Sequence, residues 1–311
     1  MKVMLIDADA DASVRARNAD WMRVNVALKK IEKYHLDKGD EVIWNFPLMK
    51  HLVDKIYVSC IYTWNKPKCK EWEGIAEIGG TGYDVFKKLP PEIENMKPKI
   101  NVGFTQRGCI RHCSFCVVHD KEGMARPTGD IYDFWDRKSK KIVILDNNIL
   151  SLPKHFSMIV KQINKEKLKV DINSGFDCRL LTEENVKEIK SLNLAERRFA
   201  FDSLDVYPAV IKAVKLLKEV GIKECLWYVY CDEDFESALE RLMVLKRLGQ
   251  RPYLMRDLRV RGIRKYNILA GWTNSMRMIQ RMDFYDYVKY YNDKGYFEEG
   301  EKELPGLKKK K

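Results

Sequence analysis

Short apolar segments alternate with longer amphipathic segments in the first third of the chain. Such alternation of strands and helices predicts a small parallel α/β domain. Strands are predicted at residues 3–6, 41–44, 55–60 and 75–78. A helix is predicted over residues 19–35, and Gly39 follows it where a left-handed C-terminal cap would lie. The apolar positions that recur on one face of this helix are Val24, Ala27, Leu28 and Ile31.

Two stretches rich in turn-forming residues follow this domain's last strand. Residues 79–82 read Gly-Gly-Thr-Gly, which predicts a tight turn with a positive φ at one glycine. Residues 88–98 contain Pro90, Pro91 and Pro98 and are the predicted linker to a second domain.

Six further strands are predicted beyond the linker, and several of them end in polar or acidic residues. They lie at residues 100–104, 141–145, 168–172, 198–201, 225–230 and 251–255. Helices are predicted over residues 208–220 and 235–248. In a β/α barrel the reactive groups collect at the carboxyl ends of the strands. This pattern therefore favours a barrel whose polar strand ends form the site, although Asp, Asn and Ser also shape turns and cap helices.

A cysteine-rich loop directly follows the first of these strands. Residues 103–118 read GFTQRGCIRHCSFCVV and place Cys109, Cys113 and Cys116 at Cys-x3-Cys-x2-Cys spacing. Three thiolates in one tight loop can bind three irons of a [4Fe–4S] cube. The fourth iron then lacks a protein ligand and stays open to a small molecule. The spacing predicts an iron–sulfur cluster site.

Zinc is the alternative ligand for these cysteines. It normally takes four ligands, and no second Cys-x2-Cys pair occurs in the chain, so His112 or His119 would have to complete the site. The remaining cysteines are Cys60, Cys69, Cys178, Cys225 and Cys231. We expect them to be buried thiols. A second cluster is the alternative and would need Cys178 to join Cys225 and Cys231.

The composition is that of an ordinary water-soluble protein, with 33% charged and 45% hydrophobic residues. No run approaches the roughly 18 apolar residues that a membrane span needs, so no membrane contact is expected. The N-terminus MKVMLIDADADAS lacks the features of a signal peptide. We therefore expect a cytoplasmic protein with reduced thiols.

The net charge of +12 permits an anionic partner without requiring one. Part of it comes from the lysines at residues 308–311, which we interpret as a solvated tail. A second basic stretch consists of Arg251, Arg256, Arg259, Arg261, Arg264 and Lys265. With Tyr266 and Trp272 as stacking side chains it could bind RNA, and the alternative, which we favour, is a solvated surface.

The cysteine spacing, with Phe115 before the last cysteine, closely resembles the signature of radical S-adenosylmethionine (SAM) enzymes. The resemblance covers roughly residues 99–260. It implies that the three cysteines hold the cube while the amine and carboxylate of SAM chelate the open iron. An electron, from a donor such as flavodoxin or ferredoxin, then splits SAM into methionine and a 5′-deoxyadenosyl radical that acts on a substrate, here unidentified. The resemblance also implies a six-stranded partial barrel of the TIM type.

The same resemblance suggests which residues bind SAM. Asp146, after the second barrel strand, would accept charge-assisted hydrogen bonds from the ammonium group of SAM. Arg179 would pair with the carboxylate, and Asn173 or Ser174 would reach the ribose or the carboxylate. Phe115 would contribute its backbone to adenine recognition. The remaining candidates at strand ends are Asn147, Asp202 and Ser203.

The whole chain also resembles an uncharacterised group of stand-alone radical SAM proteins. The shared segments are GGTGYD, RGC-x3-C-x2-CVV, a strand ending in Asp-Asn-Asn, an INxGxDxRLL-like stretch and the GWTN of residues 271–274. The N-terminal domain resembles the cobalamin-binding-like domain of many such enzymes. It lacks the Asp-x-His-x-x-Gly motif, and His35 has the wrong spacing, so we expect no cobalamin bound through a lower histidine ligand.

The fold expected from pattern and resemblance together is α/β. A small parallel, Rossmann-like domain at residues 1–95 precedes a partial (β/α)6 barrel at residues 96–285 and a basic tail at residues 286–311. The expected function is that of a radical SAM enzyme with a [4Fe–4S] cluster and SAM as cofactors. Two alternatives stay open. One is an RNA-modifying methyl- or methylthiotransferase, and the other is a zinc-dependent nucleic-acid-binding protein.

Overall fold

In the computed structural model, which describes residues 1–10 and 24–293, the chain opens with a parallel sheet. Its strands are β1 (Lys2–Asp7), β2 (Glu41–Trp44), β3 (Lys55–Ser59) and β4 (Glu77–Gly79). They lie in the order β2-β1-β3-β4 and all run parallel. The four strands predicted from the apolar pattern are confirmed, and their ends differ from the prediction by a few residues.

Both faces of this sheet are covered, which explains why residues 3–6 of β1 are all apolar. Met4 and Ile6 pack on one face with Trp72, from the 3-10 segment Thr63–Trp72. Val3 and Leu5 pack on the other face, beneath helix α1 (Val26–Asp37). Alternate side chains of a strand point to opposite faces, so a strand buried on both faces has no polar side.

Helix α1 begins later than the sequence predicts. Asn25 caps it, because its side-chain oxygen accepts a hydrogen bond from the backbone N–H of Leu28 at 3.2 Å. Val24 therefore precedes the helix, and residues 19–23 lie outside the described residues. Leu28 and Ile31 are buried as expected, and Gly39 follows the helix with φ +80°. The predicted left-handed cap is confirmed.

The turn after β4 needs a glycine at one position for two reasons. Gly80 has φ +101°, a conformation that side-chain-bearing residues rarely adopt. A Cβ atom there would also lie 2.3 Å from the carbonyl oxygen of Cys60. The positive φ predicted for this turn is confirmed, and the glycine lets the turn pack directly against the end of β3.

The first compact unit extends beyond this sheet to Asn173. A second group of parallel strands consists of β5 (Val102–Gly103), β8 (Lys141–Ile144) and β9 (Lys169–Ile172). Between β5 and β8, β6 (Gln106–Arg107) pairs antiparallel with β7 (Arg126–Pro127). The helices of this part are α2 (Pro91–Glu94), α3 (Val118–Glu122) and α4 (Pro153–Lys165). The short β5–β6 region replaces the single strand predicted over residues 100–104.

The second compact unit begins at Ser174 and contains a parallel sheet of order β11-β12-β13. The strands of this unit are β10 (Asn193–Leu194), β11 (Arg198–Ala200), β12 (Leu226–Cys231) and β13 (Arg251–Arg256). Its helices are α5 (Glu183–Ser191), α6 (Tyr207–Glu219), α7 (Phe235–Arg247), α8 (Arg264–Asn274), α9 (Met276–Arg281) and α10 (Phe284–Asp293). The predicted helices over residues 208–220 and 235–248 are confirmed.

The structure is thus mixed α/β with parallel sheets, as predicted. The predicted barrel strands fall into the first and the second unit, so a Rossmann-like domain followed by one partial barrel stays a prediction. So does the domain division at residue 95, which lies inside the first compact unit. Helix α10 includes the first residues of the predicted tail, and residues 294–311 lie outside the described part. None of the described helices is long and apolar enough to cross a membrane.

Candidate cofactor site at the cysteine loop

The motif cysteines differ from all other cysteines in their exposure. They lie between β6 and α3 in residues 108–117, which we call the cysteine loop. Cys109 and Cys113 are half-buried, and Cys116 is exposed. The remaining cysteines are all buried, as expected: Cys60, Cys69, Cys178, Cys225 and Cys231. Since a thiol must be reached by metal to bind it, only the cysteine loop presents a set of accessible sulfur ligands.

Burial also makes the other thiols poor metal ligands. It raises the pKa of Cys60, Cys178 and Cys225 to about 12 and that of Cys231 to about 11. The thiolate is the form that binds metal, so a raised pKa disfavours binding. A second cluster built on Cys178, Cys225 and Cys231 has no support in this geometry.

Two hydrogen-bond donors face the sulfur of Cys109. The backbone N–H of Arg111 lies 3.3 Å from Sγ, and the Nδ2 atom of Asn148 lies 3.5 Å from it. Within the loop, the N–H of Cys116 donates to the carbonyl of Cys113 at 3.0 Å and closes a tight turn. The loop therefore has a defined conformation around the first cysteine and between the second and third.

The segment after β8 fixes the start of the cysteine loop. Asp146 is fully buried, and it accepts hydrogen bonds from the backbone N–H groups of Thr105 at 2.6 Å and Gln106 at 3.1 Å. The hydroxyl of Thr105 donates to its other oxygen at 2.5 Å. Next to it, the Oδ1 atom of Asn147 accepts from the N–H of Gly108 at 2.9 Å. Residues 146–148 therefore hold residues 105–109 in place through hydrogen bonds.

These contacts give Asp146 a role inside the protein that the sequence did not predict. Both carboxylate oxygens already accept hydrogen bonds inside the protein, and burial raises the pKa of Asp146 to about 6. A fully buried carboxylate with satisfied oxygens is not presented to the ammonium group of a ligand. Asp146 acts here as a positioning residue for the cysteine loop, and its bond to SAM stays a prediction without support in this geometry.

An ion pair joins the two ends of the cysteine loop. The guanidinium of Arg107 contacts both carboxylate oxygens of Glu122, with Nε–Oε2 at 2.9 Å and a terminal nitrogen at 2.6 Å from Oε1. Arg107 lies in β6, before the loop, and Glu122 ends α3, after it. The guanidinium also lies 4.3 Å from the ring centroid of Phe104. Such two-point contacts fix geometry as well as adding binding energy.

Replacing Arg107 with lysine should loosen the loop without removing its charge. Lysine cannot contact both oxygens in the fixed geometry of arginine, so about 1–2 kcal/mol of unfolding free energy should be lost. In a cluster-loaded protein, iron should pass to a chelator faster than from wild type. Arg126→Lys is the matched control, because Arg126 is half exposed, lies 4.0 Å from the carboxylate of Glu122 and donates only to its backbone carbonyl, a bond that lysine can also form. Equal iron-release rates for Arg107→Lys and wild type would contradict this role.

Gly108 is a residue of this site that the sequence reasoning missed. It has φ +84°, and a Cβ atom there would lie 2.3 Å from the carbonyl oxygen of Met124. Its neighbour Cys109 donates its N–H to the carbonyl of Gly123 at 3.1 Å. A glycine directly before the first cysteine was the available signal, since such a position often marks a close backbone approach.

The other candidate SAM ligands have local partners. In the second unit, Arg179 pairs with Asp177 through two bonds of 2.6 and 3.0 Å. Ser203 accepts from the N–H of Asp205 at 3.2 Å and caps a short helical turn. Asp202 accepts from the N–H of Tyr230 at 3.0 Å, and burial raises its pKa. These are the contacts of turn and capping residues, so their roles toward SAM stay predictions.

Three further candidates are placed without a defined role. The ring of Phe115 is 44% exposed in the cysteine loop. Asn173 follows β9 and donates its N–H to the carbonyl of Ile144 at 3.0 Å. Ser174 is exposed at the start of the second unit. Their predicted contacts with SAM are not tested by this geometry.

The zinc interpretation gains no support from the positions of the possible ligands. Among the described residues, the group whose ligand atoms all lie within 4.8 Å of one another consists of His112, His119 and Asp120. It contains no cysteine, whereas one zinc ion would need its sulfur ligands close together. The zinc alternative therefore stays a prediction without support in this geometry.

His35 is not available as a cobalt ligand. It is buried, and its Nδ1 atom lies 2.7 Å from Asp40 while its Nε2 atom lies 3.2 Å from the hydroxyl of Tyr57. Both ring nitrogens therefore have partners within the first sheet. The expectation that no cobalamin binds through this histidine stays a prediction, and the geometry agrees with it.

The proposed base-stacking residues are buried. Trp272 is fully buried and donates its indole N–H to the carbonyl of Met282 at 3.1 Å. Tyr266 is 2% exposed, and its hydroxyl donates to the carbonyl of Glu233 at 2.8 Å. Neither ring can stack on a nucleic-acid base without unfolding of α8. The stacking interpretation was wrong, and a nucleic-acid partner stays a prediction without this support.

Comparison with known proteins identifies no family. A scan against protein-family models finds no match to this chain, and a search of curated proteins finds no matching sequence.

Proposed function

We propose that this chain is a radical SAM enzyme. The observation that carries the proposal is the cysteine loop, where Cys109, Cys113 and Cys116 are the accessible thiols while the chain's other cysteines are buried. Three accessible thiolates in one short loop can hold a cube with one open iron. Bound there, the cluster would supply the electron that cleaves SAM into methionine and a 5′-deoxyadenosyl radical, which abstracts hydrogen from the substrate.

The protein's own part in this chemistry is to hold the loop. Asp146 and Asn147 fix its first residues through backbone hydrogen bonds. The Arg107–Glu122 pair ties its two ends together. The side chain of Asn148 and the backbone N–H of Arg111 each donate a hydrogen bond to the sulfur of Cys109. Hydrogen bonds to the sulfurs are one way in which proteins set the reduction potential of a cluster. An electron donor such as flavodoxin or ferredoxin is the partner that this function requires.

The two alternatives are weaker. An RNA-modifying enzyme would lack the proposed stacking side chains, since Trp272 and Tyr266 are buried. The zinc-dependent nucleic-acid-binding protein requires cysteines and a histidine around one ion, an arrangement absent from the described residues. No observation in the structure favours either of them over the cluster.

Metal analysis of anaerobically purified and reconstituted protein tests the proposal. We expect about four irons and four sulfides per chain. With dithionite and SAM, the loaded protein should form 5′-deoxyadenosine, measured by liquid chromatography, and the iron-free protein should form none. One zinc per chain with no reconstituted iron would overturn the proposal in favour of the zinc site.

A further inference from the structure

A cavity of about 660 Å³ lies in the first unit, at the carboxyl edge of the first sheet. Asp7, Ser59 and Gly79, the last residues of β1, β3 and β4, all line it. In this sheet β2 and β3 lie on opposite sides of β1, so the connections diverge at β1. Open parallel sheets bind ligands in the crevice formed at such a point. The volume is within the range of small-molecule sites.

The lining of the cavity also includes both ends of the cysteine loop. Phe104 and Arg107 line it from before the loop, Val117 lines it as the last residue of the loop, and Val118 and Lys121 line it from after the loop. Val117 is the residue next to Cys116. A molecule held in this cavity would therefore lie beside the segment that carries the motif cysteines.

The carboxylates in the lining already have partners. Asp7 accepts from the N–H of Asp9 at 3.1 Å, and Glu77 pairs with Lys55 at 2.7 Å. Glu122 pairs with Arg107, and Glu94 pairs with Lys30 at 2.8 Å. Asp9 accepts from the N–H of Ile61 at 2.5 Å and from the side chain of Asn65 at 2.8 Å. These side chains have little capacity left for a cationic ligand.

Lys121 is a half-buried cation of this lining, whereas Lys87 and Lys88, which also line the cavity, are exposed. Its ammonium group donates to the carbonyl of Val85 at 3.3 Å, and within the described part of the chain it forms no ion pair. The side chain is half-buried, and burial lowers its pKa. The N-terminal turn of α1, a helix of 12 residues, lines the same cavity with Val26, Ala27 and Leu28. The amino end of a helix carries a partial positive charge that favours anions.

We propose that this cavity is the substrate site of the enzyme and binds an organic anion, a carboxylate or a phosphate with an apolar body. Lys121 and the amino end of α1 bind the anionic group. The apolar body packs against apolar lining residues such as Leu28, Ile31 and Phe104. The assignment as substrate site rests on the proposed function, because it depends on the neighbouring cysteine loop carrying the cluster. The anion preference does not depend on it.

Equilibrium dialysis of the full chain against 8-anilinonaphthalene-1-sulfonate, an anion with an apolar body, tests the proposal. We expect one bound probe per chain, and roughly tenfold weaker binding to Lys121→Met, because a charge-assisted bond is lost. Lys161→Met, an exposed lysine on α4 outside the cavity, should bind as wild type does. Ala27→Trp, which places an indole in the cavity, should abolish binding, and circular dichroism checks that each variant is folded.

Displacement of the probe defines the ligand class. Phenyl phosphate and benzoate should displace it, and benzyl alcohol, a neutral molecule of similar size, should not. The better of the two anions decides between phosphate and carboxylate. Wild-type affinity of Lys121→Met, or equal displacement by benzyl alcohol, would overturn the proposal. Iron content after reconstitution is measured on the same samples. If the protein takes up no iron but its probe binding still depends on Lys121, the proposed radical SAM function is disproved and the anion site is supported.

Discussion

Single replacement of Cys109, Cys113 or Cys116 with alanine is expected to abolish both the reconstituted cluster and the formation of 5′-deoxyadenosine. Two thiolates do not hold a cube at a site built for three, and the buried cysteines cannot substitute for the missing ligand because they are inaccessible. Iron and sulfide content, the broad visible absorption of the cluster and the yield of 5′-deoxyadenosine should all fall to the level of iron-free protein.

Cys225→Ser is the matched control for these variants. Cys225 is buried, so serine there should lower stability somewhat while the iron content per folded chain stays at the wild-type level. Wild-type 5′-deoxyadenosine formation in any of the three alanine variants would place the cluster elsewhere. Loss of iron from Cys225→Ser would instead reveal a second cluster, contrary to the burial of that thiol.

Replacing Asp146 with alanine should have the second largest effect. It leaves the two N–H groups of Thr105 and Gln106 and the hydroxyl of Thr105 without their acceptor in a buried place. Each unsatisfied buried donor costs about 1–3 kcal/mol, so we expect the unfolding free energy to fall by several kcal/mol, out of the roughly 5–15 kcal/mol of a typical domain. Denaturant unfolding and the iron content after reconstitution measure the loss.

Two further variants separate positioning from general destabilisation. Asp146→Asn keeps one acceptor oxygen and should lose less stability and less iron than Asp146→Ala. Asp54→Ala removes a carboxylate that accepts the N–H of Lys2 at 2.7 Å, but at an exposed place, and should have little effect. Wild-type stability and iron content in Asp146→Ala would show that the hydrogen bonds of Asp146 do not hold the cysteine loop.

The pH dependence of the same variant gives an independent check. The folded protein raises the pKa of Asp146 to about 6, so between about pH 4 and 6 the folded state binds a proton that the unfolded state has released. The contribution of Asp146 to stability is therefore complete at low pH and decreases as pH rises through 6. The stability difference between wild type and Asp146→Ala should be about 1 kcal/mol smaller at pH 7 than at pH 5.

The strands and helices could be predicted well because their signals are local. A fully apolar run such as residues 3–6 in β1, or the apolar repeat in α7, indicates burial directly through its spacing. How the strands join into sheets is not local: β5, β8 and β9 lie in one unit and β11, β12 and β13 in another, and nothing in their individual sequences distinguishes the two groups.

For the candidate site, too, some features could be predicted from the sequence and others depend on the folded structure. The cysteine spacing identified the loop, because three soft ligands at short intervals have few other uses. The role of Asp146 could not be read in advance, since an aspartate after a strand can bind a ligand or hold a neighbouring backbone. In the structure Asp146 is buried and accepts hydrogen bonds from a neighbouring backbone, and Trp272 and Tyr266 are buried as well. Aromatic residues in a basic stretch gave no sequence signal of that burial.

The ion pair between Arg107 and Glu122 has a consequence for how the protein responds to oxygen. Because the two ends of the cysteine loop are held by the chain itself, the conformational entropy of ordering the loop is lost during folding and not when metal arrives. On the proposed function, a protein whose cluster has been destroyed by oxidation should then keep its shape and accept new iron and sulfide. Repair, without new synthesis of the chain, is the route to recovery that this loop allows.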